Sequence, residues 1–426
     1  VYRPYVLRPV DLGYSYALTS LHTPKGGLIW PTKNMGIDRH SLKTRPGYAE
    51  DRDLGASVEV LGIKIYQLKD GTRNTMYVTD GDLCQKETGG SNTFSYKTES
   101  YTTGTVTNIT GAVVTGSGTA WSANLAAGDK FITTTDHSSQ IEPDTNWGTI
   151  LTADSATQIT LTASYTGTTG AMSDTYVARK VYTNTSNERP FMAVVDDMLC
   201  FGNKNINVQK YTGTGYASDL DSTYATKARY GIEYANRLIL ADLEVSGTRD
   251  QSALQWSKEG DPENYTDSTS GITYLLETAD YIAGLAKLGP DIVVYKENSI
   301  IIGSQTGIAT DPLFFHTTRL GIGNWAPASI IEGYFTNAFL GINDFYKIDG
   351  DHPVSIGEQI RDFFFDVTTL DNAKNTVGFP VEERSEFHWL ATTTEGQLDF
   401  VYSNREKKWT VYDLNDAILC GGLGAI

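Results

Sequence analysis

The sequence predicts an all-β chain, a β-propeller of about six blades with an inserted small β-sandwich or barrel domain and an extended N-terminal arm. Three observations carry this expectation. Helical periodicity is scarce, and short alternating runs end on Gly, Asn or Asp in a chain with 41 Gly and 25 Tyr, which is the pattern of many strands joined by tight turns. One hairpin unit recurs: "DMLCFGNKNINVQKYTG" (197–213) and "DIVVYKENSIIIGSQTG" (291–307) each run 17 residues from Asp to Thr-Gly. "NAFLGINDFYKIDG" (337–350) is the same unit with a shorter turn, and 387–409 is a longer one. The apolar segments that precede these units begin at 189, 227, 281, 328 and 375, at intervals of 38, 54, 47 and 47 residues. Repetition at about 40–50 residues with several strands per unit is the mark of propeller blades. A set of β-sandwiches, the runner-up, needs no fixed period.

Taken in order, residues 1–54 are the arm. They hold five prolines (Pro4, Pro9, Pro24, Pro31 and Pro46) and show no clear period. The arm reaches either a neighbouring subunit or across the propeller's own face. Residues 55–100 are the first blade. Residues 101–182 are a compositional island with 20 Thr and only nine Asp, Glu, Lys or Arg. We read it as a β domain inserted into a blade, with Trp121, Leu125, Phe131, Ile159 and Leu161 as its core; insertion there is cheap because loop-closure entropy grows slowly with length. Residues 183–426 supply the remaining blades, and "ASIIEGYFT" from 328 is expected as an inner strand. Phe339, Leu340, Phe345 and Tyr346 are expected to pack between blades, and Trp256 likewise. One helix is expected in 355–370, where Ile356, Ile360, Phe363, Phe364 and Val367 recur at helical spacing. Ser355 and Glu358 have the capping-box spacing at its start.

Composition limits the function. No apolar run is long enough for a membrane span, and the N-terminal residues hold no signal-peptide core. Cys84, Cys200 and Cys420 are sparse and odd in number. They imply neither a disulfide framework nor a zinc site, and fit buried thiols in a reducing environment. A net charge of −17 argues against a general nucleic-acid-binding surface.

No catalytic, cofactor-binding or metal-binding residues emerge, and no cofactor is expected. There is no G-x-S-x-G, H-E-x-x-H or Walker loop, and no sialidase Asp-box. The six histidines (His22, His40, His137, His316, His352 and His388) are never within five positions of one another, so each is read as a surface or locally bonded group. Asp-Gly-Asp at 80–82 and 349–351 could offer hard oxygens to calcium, but Asp-Gly is also a preferred tight-turn pair, and the turn is the stronger reading.

Several stretches resemble bacteriophage tail nozzle, tail tubular and tail-hub propeller proteins. They are "SLKTRPGY" (41–48), "SALQWSKEGDPENY" (252–265), 282–307 and 326–366. "GSGTAWSANLAAGDKF" (116–131) is similar to a small β module of phage tails. The resemblance implies a non-enzymatic virion protein, assembled in the host cytoplasm and forming a ring, commonly of six copies. Its partners would be portal and adaptor proteins above, and tail fibres, spikes or needle proteins. Genome DNA would pass through the lumen without specific binding, and an acidic balance suits such a conduit because Lys and Arg contacts would act as a brake. The alternatives are a glycan-binding or glycan-degrading propeller and a monomeric ligand-binding propeller.

Overall fold

The computed structural model describes residues 58–87, 94–137, 145–185, 187–220, 225–333, 335–350 and 352–414, together with the backbone of four short strands before residue 45. The architecture is a six-bladed β-propeller, built from six antiparallel blade sheets. Contacts divide the chain into two compact units, Glu50–Arg229, and Val1–Ala49 with Tyr230–Ile426.

The first unit holds two blades and the insert. Blade one consists of Val60–Gln67, Arg73–Thr79, Leu83–Lys86 and Phe94–Tyr96. Blade two consists of Phe191–Val195, Met198–Gly202, Gln209–Tyr211 and Ser218–Asp219. The alternation of side chains along strands lets Tyr66, Met76 and Val78 of blade one meet Leu199, Phe201 and Tyr211 of blade two in one core. Asp196 and Asp197, both at positive φ, form the two-residue turn after Phe191–Val195, the twist that suits a hairpin.

Between Tyr96 and Phe191 the insert folds as one eight-stranded sheet. Its spatial order is Gly170–Asp174, Thr105–Thr110, Val113–Ser117, Gln158–Leu161, Gly148–Ser155, Lys130–Thr133, Tyr176–Arg179, Ser100–Tyr101. Gly170–Asp174 and Tyr176–Arg179 are separated by one residue, yet lie near opposite ends of that order. The sheet therefore curls back on itself, and the insert is barrel-like rather than two stacked sheets. The five expected core residues all lie in its buried cluster, with Val106, Val114, Ile150 and Tyr176.

The second unit holds the other four blades, although blade three begins with a strand, Ala225–Tyr234, that crosses the division at 229/230. Its other strands are Arg237–Val245, Thr248–Trp256 and Gly271–Tyr274. Blade four has Ile282–Leu288, Asp291–Lys296, Ser299–Ile308 and Asp311–Leu320. It shows the period-two rule clearly. Ile292, Val294 and Ile301 pack on blade three with Leu254 and Trp256, while Val293, Tyr295 and Ile300 pack on blade five with Phe339 and Ile348. The last blade is Val377–Val381, Glu386–Thr393, Gly396–Ser403 and Lys408–Leu414.

Blade five departs from expectation. It has three strands, Asn337–Leu340, Phe345–Ile348 and Pro353–Ser355. The expected inner strand from 328 is a 3-10 turn at Pro327–Ser329 followed by a single bridge, Ile331 to Ala338. Pro327 cannot donate to a ladder, and the polar groups of Ser329 are taken by other partners. Its hydroxyl accepts from the Leu340 amide, and its carbonyl accepts from Trp389 Nε1. Phe339 and Tyr346 pack toward blade four, and Leu340 and Phe345 toward the last blade.

The helix is also shorter than expected. It spans Arg361–Val367 with Ile360 at its N-cap and no side-chain cap. Ser355 ends a strand instead, and its hydroxyl donates to Asp344, so the capping box at Ser355 and Glu358 is not formed. The expected apolar stripe faces the core: Ile360, Phe363, Phe364 and Val367 are buried and Ile356 packs beside them. A second short helix, Leu370–Lys374, is capped by the Thr369 hydroxyl.

Before residue 45, Gly13–Ser15 pairs with Gly27–Ile29 and Met35–Asp38 with Ser41–Thr44. The first and third of these strands lie beside Lys408–Leu414 of the same chain. The other residues of the expected arm lie outside the described residues, as do His22, His40 and Cys420. Cys84 and Cys200 are buried free thiols.

Candidate functional site

The strongest chemistry among the described residues lies in four polar clusters that the sequence did not single out. Among those residues, no group of three or more His, Cys, Asp or Glu could hold a metal ion.

The cluster most like a catalytic site surrounds Lys296, which closes the apolar run Ile292–Tyr295 of a blade-four strand. Its ammonium is fully buried. It donates to Thr278 Oγ1 at 2.7 Å and to the carbonyls of Leu275 and Thr278 at 3.0 and 3.1 Å, and sits 3.1 Å from Asp280. A hydroxyl beside a lysine is the arrangement of a nucleophile and its base. Here four acceptors surround its three N–H groups, so its contacts are those of a donor tying chain segments together. Burial pushes the Asp280 carboxyl up, but hydrogen bonds from Thr278, the Asn298 amide, Lys296 and Ser299 bring it below the usual carboxylate range. The Asp280 carboxyl is thus held ionised, and the cluster ties the connector between blades three and four to blade four. Gly323 permits the close approach behind it, since a Cβ there would stand 2.3 Å from the Lys296 carbonyl.

His388 is buried in the last blade. Its Nδ1 lies 2.8 Å from Asp399 and its Nε2 lies 3.4 Å from Glu386, and its ring stacks on Phe379. Burial opposes the charged form, but the two carboxylates outweigh it and raise the imidazole to about 9. Against an unfolded value near 6.5, this charge contributes stability that is complete below about pH 6.5 and lost as pH rises through about 9, worth about 3 kcal/mol. Denaturant titrations of wild type and His388→Gln across that window should therefore converge on the alkaline side. A wild-type stability independent of pH there would contradict a charged His388.

Glu188 receives both arms of Arg229, at 2.8 and 3.1 Å, and also Lys204. Arg179 lies against both Tyr96 and Trp147, beside Asp82. Asp82 belongs to the first Asp-Gly-Asp. The second, at Asp349-Gly350, turns between two strands of blade five. His137 is buried against Trp147, while His316 is exposed and stacks on Phe314. His352 is exposed.

The outward surface has a different character. Outer strands of blades three and four expose large apolar side chains, including Tyr274 and Phe314, and Leu276 follows at 71% exposure. No helix among the described residues is long and apolar enough to cross a membrane.

No family model and no curated protein matches the sequence. Solved structures do resemble it. PorZ, a surface component of the type-IX secretion system of Porphyromonas gingivalis, aligns at 10% identity and a TM-score of 0.36, over 84% of this chain and 39% of its own. A quinonprotein alcohol dehydrogenase-like protein of Bacteroides thetaiotaomicron aligns at 8% identity and 0.35, over 80% and 82%. AztD of Citrobacter koseri aligns at 10% and 0.33, over 83% and 82%. At these values the likeness concerns the fold alone, and this chain spans well under half of PorZ.

Proposed function

We propose that this protein is a structural component of a bacteriophage tail, a nozzle or hub subunit that assembles with copies of itself into a ring around the path of the genome. The reading rests on the sequence resemblance. The observation that supports it is how the buried charges are used: the Lys296, His388, Glu188 and Arg179 clusters bind one chain element to another. Such clusters suit a scaffold that must hold its shape under load. The uncharged residues on the outer strands suit contact with neighbouring proteins, since a chain of net charge −17 repels its own copies where acidic surfaces meet.

Native mass spectrometry of the full chain tests this reading. A closed ring, with six copies as the expected number, supports it. A strict monomer at high concentration overturns it and leaves a ligand-binding propeller.

A further inference from the structure

The inserted domain is joined to blade one by a narrow neck. Ser100 and Tyr101, entering, pair with Arg179 and Ala178, leaving. The Lys180 amide continues this pairing by donating to the Glu99 carbonyl. On its other side Tyr176–Arg179 pairs with Lys130–Thr133 of the insert, so only the Glu99–Lys180 step is two-stranded, and a ribbon that short is marginal by itself. A second point of attachment lies off the neck. Trp147, just before the insert strand Gly148–Ser155, meets Tyr96 of the outer blade strand edge-on at 5.7 Å. The Arg179 guanidinium lies in the corner the two rings form, 3.3 Å from the centre of the Tyr96 ring and 4.4 Å from that of Trp147. Its Nη1 is 3.2 Å from Asp82, whose carboxylate also accepts from Thr98.

We propose that Arg179 is a latch that fixes the inserted domain in one orientation on blade one, and that releasing it lets the insert swing about the neck while the insert and the blade both stay folded.

Three features favour a latch over a piece of ordinary core. The guanidinium joins three chain segments: the blade turn at Asp82, the blade edge at Tyr96 and the insert body at Trp147. A planar cation in the corner of two perpendicular rings stacks on Tyr96 and also meets Trp147, which an apolar side chain or a point-charge ammonium reproduces poorly. The insert also has its own core around Trp121, Phe131 and Tyr176, which does not include Arg179. Loss of the latch therefore removes orientation without removing that core. The Asp-Gly-Asp at 80–82 gains a role here: it forms the turn and also presents the carboxylate that receives the latch.

Hydrogen exchange on the full chain tests the proposal. In Arg179→Met, amides of 94–99 and 180–182 are expected to exchange about tenfold faster, as local opening of the neck requires. Peptides from the insert core, 121–133, and from blade one, 60–79, should keep wild-type protection. Arg179→Lys should fall between the two, because it keeps the charge near Asp82 and loses the planar stack. Unchanged exchange at the neck in Arg179→Met would overturn the latch. So would an equal rise in the insert core, which would make Arg179 part of that fold. Should Arg179→Met fail to fold, Trp147→Leu opens the same contact from the insert side and leaves the Asp82 pair in place; a neck that stays fully protected in that variant would overturn the proposal equally.

Discussion

Replacing Trp389 by Ala is expected to cost about 3–5 kcal/mol of stability, the range for deleting a fully buried aromatic side chain. Trp389 is completely buried. Its ring centre lies 5.0 Å from that of Phe345 and 5.3 Å from that of Trp409, and Phe345 in turn meets Phe364 at 5.0 Å. One aromatic cluster therefore joins blade five, the helix Arg361–Val367 and the last blade. Ile331, Ala338 and Leu340 add smaller side chains to the same core. The indole also donates to the Ser329 carbonyl at 3.0 Å, which holds that turn in place. Trp389→Phe separates the two contributions. It keeps most of the ring and loses the hydrogen bond, and should cost about 1–2 kcal/mol, with the orphaned carbonyl as the main term. Chemical denaturation of both variants measures the difference. A loss below about 1 kcal/mol in Trp389→Ala would mean that the cluster collapses to fill the space, and that blade five is held by something else.

The propeller could be read from the sequence wherever strands follow the two-residue period and end on strong turn residues. "DIVVYK" and "SIIIG" announce two strands because alternate residues must serve two neighbouring blades. The insert core was readable for the same reason: Ile159 and Leu161 sit at alternating positions between polar ones. Expectation failed at 328–336, where Ile330 and Ile331 suggest a strand but Pro327 and the bonded Ser329 prevent a ladder. It failed again at Ser355, whose hydroxyl had a better partner in Asp344, 11 positions back. The polar clusters were invisible for a related reason. Arg179 and Asp82 are far apart in sequence, and no local spacing signals their pairing. Lys296 did leave a trace, as a charge closing the apolar run Ile292–Tyr295 in the middle of a blade. A cation in such a place needs a buried anion, but the sequence does not say which of 51 acidic residues supplies it.

That anion gives the second large effect. Lys296→Met is expected to destabilise the protein by about 3–5 kcal/mol, the cost of removing one partner from a buried ion pair. The methionine fills the space of the lysine stem, so the loss arises from Asp280, which keeps its bonds from Ser299 and the Asn298 amide but no longer has a cation. The deficit should depend on pH. In wild type the Asp280 carboxyl is held below its usual range, so its contribution is present above the unfolded value near 4 and lost as pH falls through the lower folded value. In the variant the carboxyl protonates more readily, and the difference between the two proteins should narrow in acid. Asp280→Asn, which leaves a buried ammonium with neutral acceptors, should cost a similar amount. Lys296→Met with Asp280→Asn should cost clearly less than the sum, since neither charge then remains unpaired and contacting pairs couple by about 0.5–3 kcal/mol. Denaturation of the full cycle measures that coupling. Strictly additive losses would show that the two residues act separately, and that the tie between blades three and four rests on the hydroxyls of Thr278 and Ser299 instead.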